Sequence, residues 1–229
     1  MSTLLIRLVG PMQSWGTQSR FNPRDTGRDP SKSGVVGLLC AALGRPRSEP
    51  VDDLVKLRMG VRIDLEGKLE EDFQSAGGSH LRDERYGVVT AQGGRGGAVL
   101  SYRQYLAGAD FLVGLEGDLD LLQKLDHALE RPRWQLFLGR KGYPPSRPVR
   151  LPDEPPLGPG LRPLGLRDAL LQYPWPEGGE DRLRFVFDAE QGALGDARAD
   201  VPLSFEIGKR EFATRYTTTE FIARAEVSR

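Results

Sequence analysis

The chain has 229 residues, with 32 Lys and Arg against 32 Asp and Glu, so its formal net charge at pH 7 is zero. That length suffices for one large domain or two small ones with a real core, and neutrality excludes a globally basic nucleic-acid binder while leaving local patches open. A single cysteine, Cys40, excludes an internal disulfide framework and suits a reducing compartment. No apolar run approaches the roughly 20 residues of a membrane span, and no basic segment precedes a long apolar stretch as in a signal peptide. The expectation is a soluble, cytoplasmic protein without a membrane partner.

The first predicted element is a strand over residues 3–9, with Leu4, Ile6 and Leu8 on one face and Leu5, Arg7 and Val9 on the other. A loop from Gly10 to Gly34 follows, carrying Arg20, Arg24, Arg28 and Lys32. Helical spacing of Val35, Val36, Leu39, Ala42 and Leu43 predicts a helix over 32–43, with Ser31 or Ser33 as its cap and Gly44 as its stop. Strands are predicted over 57–65 and 111–115, and a helix over 119–129 capped by Asp118 or Asp120 and stopped by Pro132. Residues 134–138 read as a fourth strand. This β-α-β-β-α-β order is the ferredoxin-like arrangement, in the α+β class. About 45 residues separate the second and third strands, too many for an ordinary hairpin loop, and their Gly-rich ends suggest a long hairpin or flap. After Tyr143 comes a Pro-rich connector, then a smaller β-rich lobe with strands over 183–187 and 201–207. The division expected is 1–143 and 144–229.

Charge is unevenly spread. Residues 1–47 hold seven cations and two acids, and residues 131–150 hold six cations and no acid. Together the two segments would make one basic surface; apart, they are two solvated loops. The loop at 10–34 is not a P-loop, because Ser31 stands where the second glycine belongs and Pro30 removes an amide donor. Its ingredients still suit phosphate. Arg24 and Arg28 can fork onto phosphate oxygens, Lys32 adds a point charge, and the helix starting near Ser33 aims its amides at the loop. Trp15 offers a stacking face to an unpaired base, and Gln13 and Ser14 can bond base edges or a 2′-hydroxyl. The alternative is a core Trp15 with solvated arginines.

Catalytic options are thin. His127 reads as an ordinary helix-surface residue, Cys40 as packing, and two isolated histidines make no metal-ligand cluster. No catalytic residue, metal or cofactor is expected. A metal-independent ribonuclease could use His80 with Tyr86 or an arginine of the flap to activate a 2′-hydroxyl, although no spacing demands it. An enzyme of metabolism on the same scaffold would need a polar cluster that the sequence does not offer.

The runs "GPMQSWG" and "TGRDPSKSGVVGLL", within residues 4–44, closely resemble the opening of the CasD family of type I-E CRISPR systems. "SYRQYLAGADFLVGL", "FLGRKGYPPSRP" and, more loosely, "VPLSFEIGKREFATRY" are similar to later stretches of the family. The resemblance implies a RAMP protein with an RRM-related, ferredoxin-like core and a protruding thumb at about 66–105. It implies a Cascade subunit that holds the five-prime handle of the CRISPR RNA without cutting it, next to the backbone subunit CasC and the large subunit CasA, and meets target DNA only indirectly. The family motif falls on Gln13, Ser14, Trp15, Arg24, Arg28, Lys32 and Ser33. The loop after the fourth strand falls on Gly139, Arg140 and Lys141, and Tyr102, Arg103 and Tyr105 lie at the return base of the thumb. The runner-up is the type I-C relative, an endoribonuclease that trims the precursor RNA.

Overall fold

The structure is a computed structural model that describes residues 1–16, 24–77, 87–89, 94–190 and 194–227. In chain order, β1 (Ser2–Val9) leads through the short β2 (Met12–Gln13) to α1 (Lys32–Leu43), the single turn α2 (Asp52–Val55) and β3 (Arg58–Leu65). A long hairpin follows, made by β4 (Lys68–Ala76) and β7 (Val99–Ala107), with the short pair β5 (Val88–Val89) and β6 (Arg95–Gly96) between them. Then come β8 (Asp110–Gly117), α3 (Leu119–Glu130), β9 (Leu161–Arg162), α4 (Leu166–Gln172), β10 (Arg182–Asp188), β11 (Asp196–Ser204), β12 (Glu211–Ala223) and α5 (Arg224–Val227). The main sheet has the order β11-β12-β10-β3-β8-β1-β9, and every pairing in it is antiparallel.

Both faces of this sheet are covered, which is why its central strands are apolar almost throughout. Leu4, Ile6, Leu8, Val61 and Val113 pack with α1 and α3 in the larger core, while Leu5, Leu112 and Phe185 pack with α4 in the other. Gly60 and Gly114 face each other across β3 and β8, and a Cβ on either would come within 2.9 Å of an α4 or β10 side chain. Their bareness lets α4 lie close to the strands. Glu116 accepts the Leu166 amide at 2.7 Å at the start of α4, and the fully buried Arg62 donates to the carbonyls of Leu170, Tyr173 and Pro174 at its end. Each charge sits at the helix end whose dipole it complements.

The predicted caps of the two longer helices form. Ser31 Oγ accepts from the Gly34 amide, Gly44 takes the left-handed conformation at φ 73°, and Asp118 accepts from Leu121. The strand expected over 134–138 is corrected. Leu136 and Leu138 are buried as the alternation predicts, but Arg133 and Trp134 donate their amides to Ala42 and Ala41 at the end of α1, not to β1. The free edge of β1 is taken by the Pro-rich connector, through Val149 and Gly160 carbonyls and then β9. Beyond that connector lies α4, a helix not expected from the sequence. The edge strand expected over 201–207 starts earlier and ends at Ser204, with pairing irregularities around Pro202, a residue that can occupy only an edge or a bulge. The C-terminal strands continue the main sheet through β3 and β10.

Candidate nucleic-acid interface

The loop between β1 and α1 is built by two runs that lock each other in place. Gln13 is fully buried; its amide donates to the carbonyls of Leu8 and Ala109, and its oxygen accepts the Trp15 indole N–H at 3.2 Å. Trp15 is 1% exposed and packs against Gly34, where a Cβ would come 2.8 Å from the ring. Its amide donates to Thr26 Oγ1, and its carbonyl accepts from Gly27. Ser14 is buried too, donating its hydroxyl to the Gln104 carbonyl. The stacking and base-edge roles expected of Trp15 and Gln13 are therefore corrected: their polar atoms and ring faces are used inside the fold. Ser14 has its hydroxyl satisfied in the same way.

The second run is a clamp. Asp29 pairs with Arg184 on β10 and Arg198 on β11. Lys32 is 7% exposed; its ammonium pairs with Asp188 at 3.2 Å, and its amide donates to Asp200 at 2.8 Å. Arg215 bridges Asp188 and Asp200. Burial works against its charge, yet these carboxylates hold its pKa above the ordinary arginine value. Lys32 is thus a structural ion-pair partner, which corrects its expected place as a phosphate ligand.

What stays at the surface is a smaller set. Arg24 is exposed, and its backbone is bound on both sides to β7, its amide to Tyr102 and its carbonyl to Gln104, each at 2.8 Å. Arg140 donates to the same Arg24 carbonyl at 3.3 Å and to the Tyr143 hydroxyl, with its guanidinium 5.6 Å from the tyrosine ring. Ser14 donates its amide to Leu138, and the adjoining Gly139 has φ 88°; a Cβ there would lie 1.7 Å from the Ser14 carbonyl. Only glycine permits this approach. The structure thereby joins the two basic segments: Arg24, Tyr102, Arg103, Arg140 and Lys141 fall on one region. Arg28 is exposed, with its carbonyl held by Arg184, and Ser33 is half-buried in the first turn of α1. Arg24, Arg28, Arg140 and Lys141 have no ion-pair partner among the described residues.

The aromatic residues divide. Tyr102 is 47% exposed and pairs with Phe73 across the hairpin, centroids 5.4 Å apart. Tyr105 packs against the larger core and lies 6.1 Å from Tyr143, so it anchors the hairpin base. Arg103 is half-buried and donates to Ser101. Arg150, from the same basic segment as Arg140, belongs elsewhere, paired with Asp126 and Asp153. Arg20, His80 and Tyr86 lie outside the described residues. No group of three potential metal ligands occurs among the described residues. Cys40 is buried, and desolvation pushes its thiol up to about 11. Native protein at pH 8 is therefore expected to react with iodoacetamide far more slowly than the unfolded chain, which mass spectrometry of the labelled peptide would read; equal rates would contradict the burial.

The fold and this cationic surface belong to a recognisable class. The chain is a member of the Cas5 family: the family model described as CRISPR-associated protein (Cas_Cas5) matches residues 3–218. Among individual proteins, it is 32% identical over 158 residues to the CRISPR system Cascade subunit CasD of Escherichia coli (strain K12), covering 66% of this chain and 70% of that protein. One similar solved structure, described as a crystal structure of a Cas protein, has 43% identity and a TM-score of 0.75 over 97% of this chain and 96% of its own. Another, from a CRISPR RNA-guided surveillance complex, has 33% identity and a TM-score of 0.78 over 96% of this chain and 90% of its own. The family resemblance expected from the opening motifs is the one found.

Proposed function

We propose that this chain is the RNA-gripping subunit of a Cascade-type CRISPR surveillance complex, holding the five-prime handle of the CRISPR RNA without cutting it. The observation that carries the reading is the meeting of the two basic segments at the long hairpin, where Arg24 bonds β7 and Arg140 bonds Arg24, with Arg24, Arg140 and Lys141 lacking an ion-pair partner among the described residues. In this reading β1, β8 and β3 with α1 and α3, closed at the β1 edge by β9, make the ferredoxin-like core, the β4–β7 hairpin is the thumb that crosses the RNA, and β10, β11 and β12 are an added lobe. The backbone subunit CasC and the large subunit CasA are its neighbours, and target DNA is met through the assembled complex.

The test mixes the purified chain, without divalent metal, with labelled repeat RNA and an unrelated RNA of equal length. A shifted, uncut repeat band is expected; cleavage at one position would make the chain a processing endoribonuclease. Arg24→Ala with Arg28→Ala removes two exposed cations without an ion-pair partner among the described residues. At about 1.5 kcal/mol per charged contact, affinity is expected to fall about a hundredfold with the melting temperature unchanged. Undiminished affinity in this double variant would remove both residues from the interface.

A further inference from the structure

Between α1 and the turn after β11 runs a groove of about 770 Å³. Its floor is low because Gly37 and Ala41, four residues apart on α1, put little or no side chain there; a Cβ on Gly37 would point toward Phe205. Trp134 forms one wall, and Phe205 and Ile207 the other. Trp134 is 47% exposed and Ile207 82% exposed. The rim carries Arg45, Arg47, Lys141 and Arg210, and no acidic residue lines the groove among the described residues. Arg45 is held by Asp53, whereas Arg47, Lys141 and Arg210 have no ion-pair partner among the described residues.

An acid-free cationic rim selects an anionic occupant, and an open apolar slot beside an indole selects something flat and unsaturated. An unpaired nucleotide has both properties. Gly139 and Lys141 belong to this groove and also to the loop that Arg140 ties to Arg24, so the two surfaces are continuous. The platform is also rigid: the Trp134 amide donates to Ala41 at 3.1 Å and the Arg133 amide to Ala42 at 2.9 Å, which fixes the segment on the end of α1. We propose that this groove takes an unpaired segment of the bound RNA, one base against the Trp134 indole, with Arg47, Lys141 and Arg210 meeting its phosphates. The proposal rests on the RNA-binding reading above and gives Trp134 the stacking role that the buried Trp15 does not fill.

The test uses the full chain and a short single-stranded oligoribonucleotide of repeat sequence. Titration is expected to quench tryptophan fluorescence in the wild type and not in Trp134→Phe, since Trp15 is buried and Trp175 packs with the core on the opposite face. Trp134→Ala is expected to weaken binding about tenfold. Arg47→Ala with Arg210→Ala, both exposed, is expected to flatten the dependence of log affinity on log salt by about 0.7 per cation removed. A wild type that binds RNA, with these variants binding equally well and no Trp134 quench, overturns the groove assignment and leaves the RNA-binding reading intact. Unchanged RNA affinity with loss of the variants from the assembled complex also overturns it, making the groove a protein contact. Failure of the wild type to bind the RNA at all would remove the broader reading and this one together.

Discussion

Trp15→Ala is expected to destabilise the protein by about 3–5 kcal/mol, the usual cost of emptying a buried tryptophan site. In a chain of this size that is a fall of about 6–20 °C in melting temperature. The cause is local. Trp15 fills the space between the loop and Gly34 at the start of α1, and its indole N–H is the partner of the Gln13 oxygen. Removing it leaves a cavity under α1 and an unpaired acceptor on a glutamine whose amide satisfies the Leu8 and Ala109 carbonyls. Trp15→Phe keeps most of the volume and is expected to retain RNA affinity. A thermal melt beside an RNA titration separates the roles: a Trp15→Ala protein that melts like the wild type but binds no RNA would restore the stacking role.

Asp200→Ala is expected to cost a similar amount, about 3–5 kcal/mol, because it strands a buried charge. Asp200 is 1% exposed and accepts from Arg215 through Nε and Nη2, at 2.7 and 2.8 Å, as well as from the Lys32 amide. Without it Arg215 keeps only Asp188, which already serves Lys32 and the Met59 amide. The effect should exceed that of losing an exposed pair such as Lys209–Glu206, worth at most about 1 kcal/mol. Urea unfolding measures it. Replacing Asp200 and Arg215 together with apolar residues of similar volume should recover part of the loss, since no lone charge then remains. A loss below about 1 kcal/mol for Asp200→Ala would mean that the cluster is solvated and does not fasten α1 to the C-terminal strands.

The same residues show how far sequence reading reaches. Periodicity and capping are local, so β1, α1, β3, β8, α3 and β10 were legible, as was the long hairpin implied by an insertion too large for a loop. Trp134–Leu138 failed because alternation reports burial, not pairing: Leu136 and Leu138 are inside, but the Trp134 amide goes to the end of α1 and the Leu138 amide to Tyr143. For the site, residue types pointed to phosphate and stacking chemistry, and the motif positions pointed to the family. They could not say which cation keeps its charge free. Lys32 and Arg24 look alike in the sequence, yet Asp188 lies 156 residues from Lys32 and meets it only because β10 joins β3.

By itself, then, the sequence determined the family, the order of the principal elements and the existence of two basic segments, because those depend on neighbouring residues and short motifs. Only the tertiary structure decided that the segments meet, that Gln13, Trp15 and Lys32 serve the fold, and that Trp134 and Arg210 share a groove. Burial and ion pairing are set by residues far apart in the chain, and no local pattern encodes which distant side chain will arrive.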